Sequence, residues 1–371
     1  MLVILGLFLF VMLVVVHELG HFVAARKNGV DVEEFGIGFP PRIWKRKLKN
    51  KTLFTLNILP LGGFVKLKGE HDADTEQGSY GAASLRAKTK IILAGVLMNL
   101  VIAVGLFSAL ALIGIPKLFD NQFTIKSDTK IMKNEVLVGQ VEQDSPAQKA
   151  GITQKDVLVS INSAQSSTPI LSADDLPNVT KIYNGQKVTV TVKRNNLASD
   201  IPLVLRSEQE VQQAKAEGKS VGYLGITPAQ FTLQRSTWSA PIVGLGVTAQ
   251  LTQMTVKGLG SMVAGIFSGK IKQATNQVAG PVGIFVIIKD GSSLGFRFVL
   301  MIMAVISLTL AIMNTLPIPA LDGGRLFVTY IFRLTKKDLT PKLEDTIHGF
   351  GFAALMLLFI LITIVDVKRF L

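Results

Sequence analysis

The chain of 371 residues contains no cysteine and few charged residues. The absence of cysteine excludes disulfide bonds and thiolate ligands, so any metal site must use histidine and carboxylate side chains. Histidine is scarce too, with four in the whole chain, at positions 17, 21, 71 and 348. Charged residues make up 18% of the chain, against about a quarter in a typical globular domain. These shortages limit the candidates for chemistry and indicate a protein partly buried in lipid.

Long apolar segments are what the chain has instead of charge. The mean hydropathy is +0.43, and 49% of the residues are hydrophobic. Residues 1–16 carry no charge, and further apolar runs cover 91–115, 298–313 with an extension, and 347–365. Each run approaches or exceeds the about 20 residues that cross the hydrocarbon as a helix. The first run lacks a basic leader and a small-residue cleavage site, so we interpret it as a retained span and not a signal peptide.

A short motif at the end of the first apolar run points to metal chemistry. On a helix, His17 and His21 lie on one face a single turn apart, close enough for both imidazoles to bind one zinc ion. Glu18 then lies beside the open coordination position, as the general base of a metalloprotease does. A charged side chain inside a membrane span costs about 3 kcal/mol or more, so it needs compensation there. We therefore expect a zinc site and not a chance match.

The distribution of basic residues predicts the orientation of the spans. Lysine and arginine are dense between residues 26 and 90, which is typical of a cytoplasmic loop. Both termini and residues from about 116 to 295 are then extracytoplasmic, and the active site lies toward the cytoplasmic side of the cell membrane. The third span returns to that side, so Asp322 can supply a third ligand and leave the fourth position for water. The net charge of +13 follows this pattern, and we predict no binding of nucleic acid.

One apolar stretch leaves an alternative open. Residues 242–267 are apolar but rich in glycine and polar residues, and a fifth span there would put Asp322 on the wrong side. We interpret residues 229–295 as amphipathic helices that lie in the outer interface.

The sequences HELGH and NTLPIPALDGGR, the second at residues 314–325, together resemble the site-2 proteases, which are intramembrane zinc metalloproteases. The resemblance is to the bacterial branch with four spans and one extracytoplasmic PDZ domain, and it covers almost the whole chain. It implies that His17, His21 and Asp322 bind one Zn²⁺ and that Glu18 activates the water. It also implies that Asn314 hydrogen-bonds the substrate backbone. The alternative is that Asn314 only caps the helix that the following prolines break.

The segment TLFTLNILPLGGFVKLK, residues 52–68, predicts a β-hairpin. It alternates partly with period two around a Pro-Leu-Gly-Gly turn. Its apolar tip within a basic loop indicates that it dips into the membrane beside the zinc. The family resemblance implies a re-entrant β-loop that pairs with extended substrate by strand addition, with Gly62, Gly63 and Phe64 as contacts. A cytoplasmic hairpin without substrate contact is the alternative.

Residues 117–228 predict a small β-rich domain. Within it, SPAQKAGITQKDVLVSINS resembles the circularly permuted PDZ domains of bacterial proteases. A short loop resembles the PDZ carboxylate-binding loop, whose amides receive a peptide C-terminus. Its residues are Tyr223, Leu224, Gly225 and Ile226. The domain could dock a chain end made by an earlier protease or act as a size filter, and the sequence leaves both open.

Four further residues are assigned no chemistry. Gly95 and Asn99 repeat the spacing of a family element in the second span, but Val96 stands where proline is usual. An asparagine within the membrane more often bridges helices than reacts. His71 and His348 lack metal-ligand spacing, and we interpret both as structural.

The sequence thus predicts a polytopic α-helical membrane protein with four transmembrane helices, a membrane re-entrant β-hairpin and an inserted extracytoplasmic β-rich PDZ domain. The predicted segments are transmembrane helix 1 at 1–26, a basic cytoplasmic loop at 27–87 with the hairpin, transmembrane helix 2 at 88–116, the PDZ domain at 117–228, interfacial helices at 229–295, transmembrane helix 3 at 296–325, a cytoplasmic loop at 326–346 and transmembrane helix 4 at 347–367.

The predicted activity is hydrolysis of peptide bonds in or near the transmembrane segments of single-span proteins in the lipid bilayer. Anti-sigma factors and signal-peptide remnants are examples of such substrates, and an upstream site-1-type protease would act first. One alternative is a non-catalytic PDZ-bearing receptor with a structural zinc, but structural sites usually have four protein ligands and three are visible here. Another is a transporter, against which the absence of inverted repeats argues.

Overall fold

The computed structural model describes residues 1–164, 166–219, 221–268 and 281–370. The first elements in the chain are α1 (Leu2–Lys27), β1 (Val32–Lys47), β2 (Leu53–Leu67), α2 (Leu85–Ile113) and β3 (Ile115–Pro116). The next are β4 (Lys130–Val141), α3 (Pro146–Lys149), β5 (Val157–Asn162), β6 (Ser167–Pro169), α4 (Leu176–Ile182), β7 (Lys187–Arg194), β8 (Leu197–Val204), α5 (Glu208–Ala216) and β9 (Ile226–Arg235). The last are α6 (Ala240–Phe267), α7 (Pro281–Ser293), α8 (Phe296–Met313), α9 (Asp322–Leu334) and α10 (Pro341–Phe370).

These elements form two units, each with its own hydrophobic core. The helical unit comprises Met1–Ile113, Gln122–Ile125 and the chain from Ser236 onward, and the sheet unit comprises Gly114–Asn121 and Lys126–Arg235. Within the described residues, four helices of the helical unit are long and apolar enough to cross a membrane, namely α1, α2, α8 and α10. They overlap the four predicted spans, although α8 ends at Met313, where the third span was predicted to continue to 325, and Asp322 begins a separate helix. Helix α6 is not among the four.

Helices α1 and α2 pack closely because small residues lie where they meet. A Cβ added to Gly20 of α1 would come within 2.5 Å of the Ala94 carbonyl oxygen of α2. A Cβ on Gly95 of α2 would come within 2.3 Å of His21 Nε2. Close helix approach at small residues is a common packing mode in membranes, where dispersion contacts replace the hydrophobic effect. The contact brings α2 directly against the two histidines.

The chain between α8 and α9 folds back on itself. Asn314 ends α8, and its carbonyl oxygen accepts the N–H of Gly323 at 2.8 Å. The two prolines of this connection remove backbone donors, which prevents the helix from continuing. Both glycines after Asp322 are required, because a Cβ on Gly323 would lie 2.5 Å from the Thr315 carbonyl oxygen and one on Gly324 would clash with Ile318. This fold-back places Asp322 at the first position of α9.

The predicted hairpin differs from the observed one in its partner strand. Residues 53–67 form one bent strand, β2, which pairs with β1 and not with itself, because residues 63–67 and residues 53–56 lie on opposite sides of residues 32–37. The connecting turn lies at residues 48–52, and the Pro-Leu-Gly-Gly sequence forms a bend inside β2. Period-two alternation identified the strand but not its partner, because pairing is decided by contacts that alternation does not encode.

The sheet unit contains an antiparallel sheet with the strand order β3-β9-β4-β5-β7-β8, and β6 pairs with β5. The strands predicted near residues 136–141, 156–162 and 187–192 correspond to β4, β5 and β7. Inward residues such as Val138, Leu158 and Val190 form a buried core. The short helix α3 begins with a Ser145 cap whose Oγ accepts the Gln148 N–H at 3.1 Å. The predicted domain therefore forms a compact β-rich unit, extended by β9 to Arg235.

Helix α6 packs along α2 in the helical unit. A Cβ on Gly244 would come within 2.2 Å of Ser108 Oγ, and Thr248 is buried. Leu251 and Leu259 contribute to a cluster with Ala103, together with residues of α8. The segment predicted as interfacial helices is thus one 28-residue helix followed, after residues outside the described ranges, by α7.

Candidate metal centre

Three side chains from α1 and α9 meet around one point. His17 Nε2 lies 3.0 Å from Asp322 Oδ2, and His21 Nε2 lies 3.1 Å from the same oxygen. The two Nε2 atoms are 3.2 Å apart. In a tetrahedral zinc site with metal–ligand distances of about 2.0–2.1 Å, the ligand atoms are about 3.3 Å apart. Two imidazole nitrogens and one carboxylate oxygen at these separations fit a zinc ion with a fourth position left open. Within the described residues this is the only such group of histidines and acids.

Both histidines present the same ring nitrogen because the other is occupied. His21 Nδ1 lies 2.9 Å from the carbonyl oxygen of Ile91, so it donates its proton there and leaves Nε2 available to bind a metal. His17 Nδ1 lies 3.3 Å from the amide nitrogen of Asn99. The amide oxygen of Asn99 is buried without a hydrogen-bond partner among the described residues. A half-turn of this amide lets the oxygen accept the His17 Nδ1 proton, which satisfies both groups.

Glu18 follows His17 directly on α1 and is partly buried. The backbone N–H of Val65 in β2 lies near the Glu18 carboxylate. A Cβ on Gly63 would lie 3.4 Å from Glu18 Cγ, so β2 passes in direct contact with this side chain. The strand thus fixes the orientation of the carboxylate at the three-residue cluster.

Asn314 reaches the same cluster from the end of α8. Its amide nitrogen lies 3.5 Å from His17 Nε2, which is a contact and not a strong hydrogen bond. The residue also caps α8 through its backbone. The structure therefore brings Asn314 beside His17 and leaves both predicted roles, the cap and the substrate contact, compatible with its position.

The three predicted hairpin residues lie along the bend of β2. Gly62 lies close to Val14 of α1, and Gly63 lies next to Glu18. The ring of Phe64 packs on its own sheet, over Gly36 and stacked with Phe39 at a centroid distance of 6.4 Å. Gly63 is thus next to Glu18 and Gly62 is against α1, whereas Phe64 supports the sheet.

The remaining histidines lie outside the cluster, as predicted. His71 Nε2 is 3.0 Å from Asp345 Oδ1, and this hydrogen bond raises the pKa of His71 above its ordinary value. His348 Nδ1 accepts the backbone N–H of Ala320 at 3.1 Å and so holds the connection before α9. Both contacts are structural.

The four residues of the predicted carboxylate-binding loop belong to the sheet unit. The carbonyl oxygens of Tyr223, Leu224 and Gly225 accept backbone N–H groups of this unit. Gly225 has φ +75, a left-handed conformation that favours glycine, and Ile226 begins β9. The loop is therefore rigidly held by its carbonyl groups.

Sequence reasoning missed the groups that contact the cluster residues in space but are distant from them in sequence. Asn99 was assigned to helix packing alone, and the Ile91 carbonyl and the Val65 N–H carry no sequence signal because every residue has such groups. Only an uncharged polar side chain in an apolar helix, as at Asn99, could have indicated a supporting contact.

Comparisons with known proteins agree with this centre. The model of peptidase family M50 matches residues 5–358. A protein of Clostridium perfringens with a zinc-metalloprotease name is 32% identical over 370 residues, which cover 99% of this chain and 98% of the relative. The zinc metalloprotease RasP of Oceanobacillus iheyensis is 25% identical over 443 residues, covering 97% of both chains. RasP of Geobacillus kaustophilus is 26% identical over 439 residues, covering 96% of both.

Proposed function

The chain belongs to peptidase family M50, and we propose that it cuts peptide bonds within or beside the transmembrane segments of single-span membrane proteins. It is a zinc metalloprotease and a multi-pass membrane protein, as its family and its four apolar helices indicate. The observation that carries the proposal is the meeting of His17, His21 and Asp322, with Glu18 next to them, where α1, a helix of membrane-spanning character, meets the start of α9. A hydrolytic centre at that position acts on substrates that are themselves in the bilayer.

His17, His21 and Asp322 are the residues that hold the metal. A zinc ion bound there supplies Lewis-acid polarisation of the scissile carbonyl and makes water a better nucleophile. Glu18 takes the proton from the attacking water and passes it to the leaving amine. Strand β2, which passes in contact with Glu18, limits the movement of this side chain during both transfers.

The substrate binds in extended form along the edge of β2 that faces α1. Because a helix has no free backbone groups, a transmembrane substrate must unwind before it can pair with this edge. Because Gly62 and Gly63 carry no side chain, the backbone of β2 itself approaches α1 and Glu18, where it can pair with the substrate. The amide of Asn314 holds a backbone group of the substrate on the other side. The hairpin is re-entrant, with the bend of β2 lying in the membrane next to Val14.

The sheet unit is a PDZ-type domain that receives a peptide C-terminus. Arg206 and Ala147 donate to the carbonyl oxygens of Tyr223 and Leu224. In a trans peptide the N–H points opposite to the carbonyl, so the N–H groups of Leu224 and Gly225 face away from these donors. Such amides suit the new carboxylate that an earlier, site-1-type protease leaves on a substrate.

The basic segment between residues 26 and 90 supports a cytoplasmic position for the hairpin and for the end of α1. The sheet unit, both termini and the α6–α7 region are then extracytoplasmic, and the zinc centre lies toward the cytoplasmic side. Polypeptide substrates in the lipid bilayer are the partners, and nucleic acid is not.

The decisive experiment compares purified wild type with Glu18→Gln in liposomes that contain a single-span substrate lacking its outer domain. Wild type is expected to cut the substrate, Glu18→Gln to lose cleavage by at least about 1,000-fold, and both to hold one zinc by elemental analysis. Glu76→Gln makes the same change at an exposed glutamate paired with Lys68 and is expected to cleave normally. Residual cleavage by Glu18→Gln near the wild-type rate would overturn the role of Glu18.

A further inference from the structure

The sheet formed by β1 and β2 has two edges with different surroundings. Residues 32–37 pair on one side with residues 63–67 and on the other with residues 53–56. The second half of β1, residues 42–47, pairs with residues 53–57 on the side away from residues 32–37. The order of strand segments is therefore 63–67, 32–39, 53–59 and 42–47. We call residues 63–67 the site edge, because it contacts Glu18, and residues 42–51 the distal edge, which includes the start of the turn.

The distal edge is strongly basic and fully exposed. It contains six basic residues and no acid, and every residue from 39 to 49 is exposed. The basic residues are Arg42, Lys45, Arg46, Lys47, Lys49 and Lys51. Among the described residues, Arg42 alone of these six forms an ion pair, with Glu34 at 2.9 Å. Five cations thus have no acidic partner within the described part of the chain.

Large apolar side chains lie among these cations. Ile43 is 62% exposed and Trp44 is 47% exposed. Trp44 continues a row of aromatic rings across the sheet to α1. Its ring lies 6.0 Å from Phe54, Phe54 lies 5.9 Å from Phe35, and Phe35 lies 5.6 Å from Phe22. An exposed tryptophan between cations is typical of a surface at the boundary of lipid and water.

The sheet lies along α1 with a gradient of polarity. Its apolar end, where Phe39 and Leu59 are exposed, is next to Gly62, and Gly62 contacts Val14 of α1. The basic turn is at the opposite end, toward the end of α1 at Lys27. The cations therefore lie at the depth where a spanning helix leaves the hydrocarbon, which is the depth of lipid headgroups.

We infer that the distal edge binds the anionic phospholipid headgroups of the leaflet in which α1 ends, with Trp44 inserted at the interface. The lipid surface holds the distal edge of the sheet, while the site edge remains in contact with Glu18. Each basic residue near an anionic surface strengthens partitioning about fivefold, so this cluster distinguishes an anionic from a zwitterionic bilayer clearly. A nucleic acid would satisfy the charges, but it would leave Ile43 exposed to water. The inference rests on the proposed re-entrant hairpin and not on proteolysis.

Trp44 provides a direct test, because the chain has two tryptophans and the other, Trp238, is exposed and replaceable. The full-length Trp238→Phe protein is reconstituted in phosphatidylcholine vesicles with and without phosphatidylglycerol. With phosphatidylglycerol, Trp44 emission is expected to shift to shorter wavelength, and quenching by brominated lipid is expected to rise. Both changes should reverse in 1 M salt, where the Debye length is about 3 Å.

A charge variant and a matched control test whether the response of Trp44 to phosphatidylglycerol depends on the cations of the distal edge. Replacement of Lys45, Arg46, Lys47 and Lys49 by glutamine in the Trp238→Phe background is expected to abolish the response to phosphatidylglycerol. The control replaces four exposed lysines of the sheet unit by glutamine and is expected to keep it. These are Lys149, Lys181, Lys187 and Lys215. Equal emission and quenching in both kinds of vesicle, or loss of the response in the control, would overturn the inference. The cleavage assay is separate, so a failure here leaves the proposed protease activity untouched.

Discussion

At the scale of single residues, the centre depends on groups that contact the Nδ1 atoms of its two histidines and so orient the rings. The Ile91 carbonyl fixes the tautomer of His21, and Asn99 stands at the equivalent nitrogen of His17. Partners of this kind orient the ring and raise its basicity as a ligand. The centre is therefore built by α1 and α2 together, although its ligands come from α1 and α9.

Asn99 can be tested through metal affinity. Asn99→Ala leaves the His17 Nδ1 proton without an acceptor, and we expect zinc affinity to fall about 10–100-fold. Competition with a chelator, read by elemental analysis, measures this without reference to cleavage. Ser307→Ala is the control, since Ser307 bonds only the backbone carbonyl of Asn99 and the amide remains. Equal zinc retention in both variants would contradict the role of the amide.

Gly95 offers a steric test of the same contact. In Gly95→Ala the new Cβ would lie 2.3 Å from His21 Nε2, so the helices or the ring must move. We expect loss of bound zinc and at least about a 100-fold loss of cleavage, because small displacements of catalytic groups have effects of that size. Gly105→Ala, on the same helix, meets no atom within 4 Å and should leave zinc and cleavage unchanged. A normal zinc content in Gly95→Ala would exclude the close approach.

At the scale of elements, α9 and the β2 strand are joined through one arginine. Arg325 donates to the Glu70 carbonyl at 2.5 Å and lies over the ring of Tyr80 at 4.7 Å. The Glu70 carboxylate in turn accepts the Leu67 N–H at the end of β2, at 2.8 Å. The helix that begins with Asp322 is thereby connected to β2, the strand that contacts Glu18 of α1.

Replacement of this arginine should disturb positioning and not metal binding. Arg325→Gln is expected to lower cleavage about 10–100-fold with zinc content unchanged, because β2 loses its register against Glu18. Arg333→Gln, on the same helix, removes an ion pair to Asp72 instead and should have a smaller effect. Steady-state cleavage with parallel zinc analysis measures both. A loss of zinc in Arg325→Gln would indicate a defect of the ligands themselves.

At the scale of the whole molecule, the two units are stabilised by different means. The helical unit has apolar clusters between helices that approach closely at small residues, together with the proposed metal ligands, whereas the sheet unit has its own apolar core and a buried acid, Asp156. Asp156 Oδ1 and Oδ2 each accept a guanidinium N–H of Arg194 at 2.7 Å. The stability of the sheet unit should therefore depend on pH and that of the metal centre on zinc.

The pH dependence has a definite sign. Burial favours the protonated form of Asp156, but the hydrogen bonds from Arg194 and Thr153 outweigh it and lower the pKa of the carboxyl below its ordinary value. The stabilisation is fully present above the unfolded pKa of about 3.9 and is lost as pH falls through the folded pKa. We expect the unfolding temperature of the sheet unit to change little from pH 7 to about 5 and to fall below about pH 4. Protease susceptibility during heating measures this temperature. Asp156→Asn should unfold earlier at pH 7 and lose much of this dependence.

Local patterns in the sequence were sufficient to predict the apolar helices and the two histidines of the centre. The apolar runs identified four spans because crossing the hydrocarbon imposes length and composition on one contiguous segment. The spacing of His17 and His21 was sufficient to predict two side chains on one helix face that could hold a metal, because helical periodicity is local. Asp322 lies 305 residues from His17, and its prediction as third ligand needed the orientation of the spans as well as resemblance to the site-2 proteases, whose family the comparisons confirm.

Only the tertiary structure decided what lies around these residues. The pairing of β2 with β1, the contact of Gly63 with Glu18 and the positions of Ile91 and Asn99 all join segments distant in sequence. Backbone donors and acceptors occur at nearly every residue, so no pattern marks the few that a fold brings to a centre. The sequence by itself determined which residues can bind zinc and cross a membrane, because those properties belong to side chains and short segments. The structure decided how the residues are held and which strand edge faces them, because these depend on contacts that exist only once the chain has folded.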